Sequence, residues 1–161
     1  MKRKRFSMGV IVLAVVAIAL GYAGWKFLTP AACQVCLRPL HAATKTVGTV
    51  AGKKELFCCP TCALTAHRQT GKVVDIKKLS NYETGSVLTP EDAYIVEGSS
   101  LNLCIQQHVH MGHDKQASQA GFDRCSPSIF TFADKGAAER FQRVHGGNVM
   151  RFRALAALYQ H

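Results

Sequence analysis

Two cysteine pairs constrain this chain more than any other feature. Cys33-x2-Cys36 is followed, 21 residues later, by Cys58-x3-Cys62, with Cys59 inside the second pair. Five sulfurs within 30 residues cannot all pair with one another, which counts against a pure disulfide scaffold. The spacing instead suits a tetrahedral ion held by four thiolates at ~2.3 Å each. One pair would come from a turn and the other from the start of a helix. A helix N-terminus favours negative charge, so Cys58, Cys59 and Cys62 are expected to have lowered pKa values and to supply thiolates readily. The ligand set is therefore Cys33, Cys36, Cys58 and Cys62, with Cys59 as an exchange or alternative ligand. Disulfides are the alternative for an exported domain.

The second group is Cys104, His108, His110, Met111 and Cys125, with His113 nearby. Thiolate, imidazole and thioether together suit copper or zinc. In an extended segment His108 and His110 share a face. The same stretch also reads as a polar loop with its histidines in water, or as a loop closed by a Cys104–Cys125 disulfide.

The N-terminus reads as a membrane segment. Lys2-Arg3-Lys4-Arg5 precedes an uncharged run from Phe6 to Trp25, and Tyr22, Trp25 and Lys26 stand at its far end. Twenty residues span ~30 Å as a helix, about one hydrocarbon core. The basic cluster holds the N-terminus in the cytoplasm and the aromatic–basic end marks the opposite interface. The expectation is a single-pass anchor in the inner (cytoplasmic) membrane over residues 6–28, with the remaining domain extracytoplasmic or periplasmic. A cleaved signal peptide, with small residues around Gly21-Tyr22-Ala23, is the rival, and a lipoprotein ending Ala31-Ala32-Cys33 a weaker one. The whole chain carries a formal charge of +10, but residues 29–161 hold 15 basic and 10 acidic side chains, a mild excess of +5. With no basic cluster interleaved with aromatics, a nucleic-acid partner is excluded.

Beyond the linker Thr29–Ala32, the patterning predicts an α+β domain. Thr44–Val50 and Glu55–Cys58 read as a hairpin around Ala51–Lys54, and Pro60 starts a helix that Gly71 ends. Val73–Leu79 and Ala93–Val96 read as strands on either side of a loop with Gly85, Thr89 and Pro90. Residues 98–128 read as irregular. Ile129–Ala133 is a strand, Asp134 an N-cap, and Lys135–His145 a helix with apolar positions at 137, 138, 141 and 144. Gly146-Gly147 stops it, Asn148–Phe152 is a closing strand, and Arg153–Tyr159 a short terminal helix. Helix, glycine and strand recur in both halves, so two small ββαβ units are expected. The predicted domains are an anchor over 1–28, a Cys-rich unit over 29–85, and a second unit over 86–161.

Cys33-Gln-Val-Cys36 with Phe57-Cys58-Cys59-Pro60-Thr61-Cys62-Ala63 resembles the TRASH domain, a treble-clef-like module of heavy-metal sensing and trafficking. Asp75–Gly85, Ala93–Ser99 and Pro127–Phe152 resemble the NosL family, membrane-anchored accessory proteins that deliver copper to nitrous oxide reductase. The resemblance implies two related ββαβ halves and Cu(I) binding. NosL proteins carry a Cys-x-Met motif near the N-terminus and a Met in the second half. Here no Met follows Cys33 or Cys36, and Cys125 stands at the second-half position.

Three functions follow as expectations. The first is a metallochaperone or accessory protein that carries Cu+ or Zn2+ to a metal-accepting exported protein. The second is a structural zinc module that docks a partner. The third, a thiol oxidoreductase using Cys33-x2-Cys36 or Cys59-x2-Cys62, is the weakest, because neither pair sits between a βαβ strand and helix. No catalytic residue set is present, and the chain is read as a binding protein.

Overall fold

The computed structural model describes residues 8–28, 31–106 and 124–159. Contacts divide the chain into two units, Met1–Ala31 and Ala32–His161. In the first, α1 (Met8–Leu28) is one helix of 21 residues. Several of its side chains lie outside the described residues. Among those described, no helix is long and apolar enough to cross a membrane.

The second unit is α+β and holds two antiparallel sheets. In the first sheet, β1 (Thr46–Val50) pairs with β2 (Lys53–Phe57) on one side and β3 (Asp75–Ser80) on the other. A two-residue strand, β4 (Val87–Leu88), extends the edge beside β3. In the second sheet, β5 (Tyr94–Glu97) lies between β6 (Ile129–Phe132) and β7 (Asn148–Arg151). The two sheets share one wiring, second strand, first strand, third strand, each with a helix before the third. The sequence echo therefore has a topological counterpart. A parallel bridge between Asn81 and Thr131 joins the sheets, reinforced by Tyr82 N–H donating to the Thr131 carbonyl at 2.8 Å.

Local chemistry explains the elements. The β-branched run of β1 turns at Ala51-Gly52, both with positive φ (51° and 80°), as a two-residue hairpin of this hand requires. The predicted first helix is broken at Ala66 into α2 (Pro60–Thr65) and α3 (His67–Thr70). Asp134 caps α5 (Lys135–His145), its Oδ1 accepting from Ala137 N–H at 2.8 Å. Ala137, Ala138 and Phe141 bury that helix's apolar face, whereas Val144 is 76% exposed. A one-turn helix, α4 (Leu103–Gln106), interrupts the stretch read as irregular. Phe152–Leu158 forms α6, taking Phe152 from the predicted strand.

Two of the three cores are conventional. Val96, Phe130, Phe132 and Phe141 pack under α5, with the Tyr82 ring edge-on to Phe130 and Phe141 at 4.8 and 5.1 Å. Leu79, Ile95, Ile129, Phe152 and Leu155 fill the space beneath α6. The third is built largely of sulfur: Cys33, Cys58, Cys59, Cys62, Cys104 and Cys125 pack with Val35, Phe57, Ala63 and Ala66.

Two backbone positions give opposite expectations. Gly147 has φ +94°, and a Cβ there would lie 2.6 Å from the Glu97 carbonyl oxygen. Gly147→Ala should destabilise by roughly 2–4 kcal/mol, combining left-handed strain with a backbone clash. Ala51→Asn suits its left-handed turn site and should stabilise by roughly 0.5–1 kcal/mol. Urea denaturation of both variants measures the two effects.

Candidate metal centre

Four separate elements bring their sulfurs to one place. Cys33 and Cys36 sit in a tight turn closed by Leu37 N–H to the Cys33 carbonyl and Cys33 N–H to the Arg38 carbonyl, both 2.9 Å. Leu37 holds a positive φ of 61° to complete it, a conformation that bulky residues adopt only where the surroundings enforce it. Gln34 N–H donates to the Leu56 carbonyl at 3.0 Å and pins this turn against β2. Cys58, Cys59 and Cys62 occupy the junction of β2 and α2. There Pro60 fits the first helical turn, where no N–H partner is needed. The Thr44 hydroxyl donates to the Cys58 carbonyl at 2.7 Å and fixes the junction's backbone. Cys104 comes from α4, and Cys125 from the segment leading into β6.

The sulfur separations decide what these groups can hold. Four sulfurs around an ion with ~2.3 Å bonds form a tetrahedron with edges of about 3.8 Å. Cys58 Sγ lies 3.4 Å from Cys36, 3.8 Å from Cys59, 3.7 Å from Cys62, 3.7 Å from Cys125 and 3.6 Å from Cys104. Cys62 and Cys125 are 3.5 Å apart. No disulfide joins any two of the cysteines, Cys104 and Cys125 included. Two four-sulfur sets have every member within 4.8 Å of the others: Cys33, Cys36, Cys58, Cys62, and Cys58, Cys59, Cys62, Cys125.

Cys104 and Cys125, grouped in the sequence with the histidines, thus lie against the first cysteine set. His108, His110 and Met111 fall outside the described residues. Spacing missed the groups that support the cluster. The Arg38 guanidinium is 3.4 Å from Cys125 Sγ, and Arg124 donates to the Val35 carbonyl at 2.7 Å. Asn102 bridges the two later cysteines, donating to the Cys125 carbonyl at 3.0 Å and accepting from Cys104 N–H at 3.1 Å. A lone Arg or Asn carries no metal signature in sequence, so only the fold reveals these roles.

Crowded thiols divide their protons unevenly. For Cys33 the contact with Cys36 raises the pKa, but contacts with Cys58 and Cys62 outweigh it and bring it to about 6. Cys36 is lowered further, to about 3, against a raising contact with Cys125, by Cys33, Cys58 and Cys62. Cys59 and Cys125 are also lowered, in both cases most by Cys104. Cys58 is pushed up, first by Cys104 and then Cys125; Cys62 is pushed up, first by Cys125 and then Cys33. Cys104 rises chiefly through Cys125. The lowering expected of a helix start is reversed at Cys58 and Cys62, and at Cys59 the lowering comes from contacting sulfurs, Cys104 first. A six-residue helix offers a fractional charge, whereas contacting sulfurs compete directly for each proton. The protons stay on Cys58, Cys62 and Cys104, and Cys33, Cys36, Cys59 and Cys125 are the readier thiolates.

A soft cation must displace those retained protons. Metal uptake at neutral pH should release at least the two from Cys58 and Cys62, so affinity should rise with pH and fall in acid. Proton release in weakly buffered solution measures this. Cys36, the one cysteine that is not fully buried, should be alkylated first in metal-free protein and protected by metal; peptide mass mapping reads the order.

No protein-family profile matches the sequence, and no curated protein does. Among solved structures, the fold is similar to the crystal structure of the copper chaperone NosL from Shewanella denitrificans, with a TM-score of 0.50 and 17% sequence identity. The alignment covers 76% of this chain and 87% of that one.

Proposed function

We propose that this protein carries a soft metal ion, Cu+ in the first instance, outside the cytoplasm while tethered to the inner membrane, and passes it to an exported acceptor. One observation carries the reading: thiols from four elements converge at separations that match tetrahedral thiolate coordination. The fold shared with a copper chaperone supports copper over other soft ions. The uncharged run Phe6–Trp25 behind Lys2-Arg3-Lys4-Arg5 supports the tether and its orientation.

The arrangement suits transfer. Cys36 offers the most accessible sulfur, and Cys58 touches it from within at 3.4 Å. An acceptor thiol can replace Cys36 while the buried sulfurs hold the ion. Cys59, Cys104 and Cys125 each lie within 3.8 Å of Cys58, so a departing ligand always has a neighbour to take its place. This is binding and exchange rather than catalysis.

One observation favours a second reading, a permanent structural zinc site: Cys33, Cys58 and Cys62 are completely buried. Exchange separates the two. Reduced full-length protein loaded with Cu+ should yield it to a competing Cu+ chelator and keep its far-ultraviolet circular dichroism. A structural zinc site would hold its ion and unfold on extraction. Cys58→Ser should weaken binding by at least about 10–100-fold, by analogy with losses around other metal sites. Reduced protein that takes up neither copper nor zinc would end the proposal.

A further inference from the structure

We propose that the cluster binds two soft ions at once, with the thiolates of Cys58 and Cys62 bridging between them. This rests on the reading of the cysteines as a metal site and goes further by assigning a second site and a shared pair. The two four-sulfur sets are not alternatives drawn from separate regions. They share one edge, Cys58–Cys62, of 3.7 Å, and each completes its tetrahedron with sulfurs the other does not use. The turn supplies Cys33 and Cys36 on one side; Cys59 and Cys125 close the other.

The second set has the spacing of one coordination shell. Cys58–Cys59, Cys58–Cys62, Cys58–Cys125 and Cys62–Cys125 are 3.8, 3.7, 3.7 and 3.5 Å, all near the edge of a tetrahedral thiolate site. A single ion on the first set engages neither Cys59 nor Cys125, and a second ion would take both; Cys104 stays outside either set. The two sets meet across Cys36–Cys125 at 3.9 Å as well as along the shared edge.

Charge is consistent with two ions. Six thiolates around two divalent ions leave a net −2, and the Arg38 guanidinium faces it, 3.4 Å from Cys125 Sγ. With two monovalent ions the same pocket keeps more of its protons. A bridging sulfur needs lone pairs for two metals, and Cys58 already meets five other sulfurs within 3.8 Å, so it is the group best placed to do so.

The test uses full-length protein in detergent, reduced and anaerobic, titrated with Zn2+ and separately with a spin-active cadmium isotope. Native mass spectrometry should count two ions per chain, and cadmium NMR should show two resonances split by mutual coupling through shared sulfur. Cys59→Ser/Cys125→Ser should retain one ion with no splitting. Cys33→Ser/Cys36→Ser should do the same from the other side, so misfolding of one variant does not remove the test. One ion in the unaltered protein, or two unsplit resonances, overturns the shared-thiolate cluster and leaves the single-ion carrier standing. No ion at all overturns both. A Cys59→Ser/Cys125→Ser chain that still takes up two ions also overturns the bridged assignment.

Discussion

The contact of Cys58 with the sulfurs around it organises this molecule. A small domain ordinarily gathers hydrocarbon at its centre, and the two cores beneath α5 and α6 do so. Between the turn at Cys33 and the start of α2, thiols take that place. A protonated thiol packs like a small apolar group, so Cys58 and Cys62, whose protons are retained, are buried without the cost of burying a charge. The same thiols could yield their protons to a cation, so one cluster can serve as core and as ligand set.

The ligands' origin ties the halves together. Cys33, Cys36, Cys58, Cys59 and Cys62 belong to the part built around the first sheet, while Cys104 and Cys125 come from the chain around the second. Thr61 adds a direct link, its hydroxyl donating to the Pro127 carbonyl at 2.7 Å beside Cys125. A cation held by Cys58, Cys59, Cys62 and Cys125 would draw on sulfurs of both parts and so would favour the assembled domain.

Much of the fold was legible in local patterns and less of the site. Runs of β-branched residues, Pro60, Asp134, Gly71 and Gly146 mark strands and helix ends, and these signals are local enough to read from a single chain. Short elements escaped: β4 has two residues and α4 a single turn, too little for any periodicity to show. The convergence of Cys33, Cys36, Cys58 and Cys62 follows from spacing. Cys104 and Cys125 stand 46 and 67 positions from Cys58, and no local rule relates them; proximity in sequence linked them instead to His108 and His110. The pKa order failed for a related reason. A helix terminus can be read from sequence, whereas a crowd of sulfurs contributed by distant segments cannot.

The twin wiring of the two sheets shows what the sulfur-bearing half gave up. In the second half the residue that opens the helix is Asp134, whose carboxylate caps it; in the first half the same place holds Cys59, which makes no side-chain cap bond. A missing cap costs a helix about 1 kcal/mol. The helix that follows Cys59 runs six residues before breaking, against eleven after Asp134. Where one copy of the motif uses its opening residue to cap its own helix, the other commits that residue to the sulfur cluster, 3.8 Å from Cys58 Sγ.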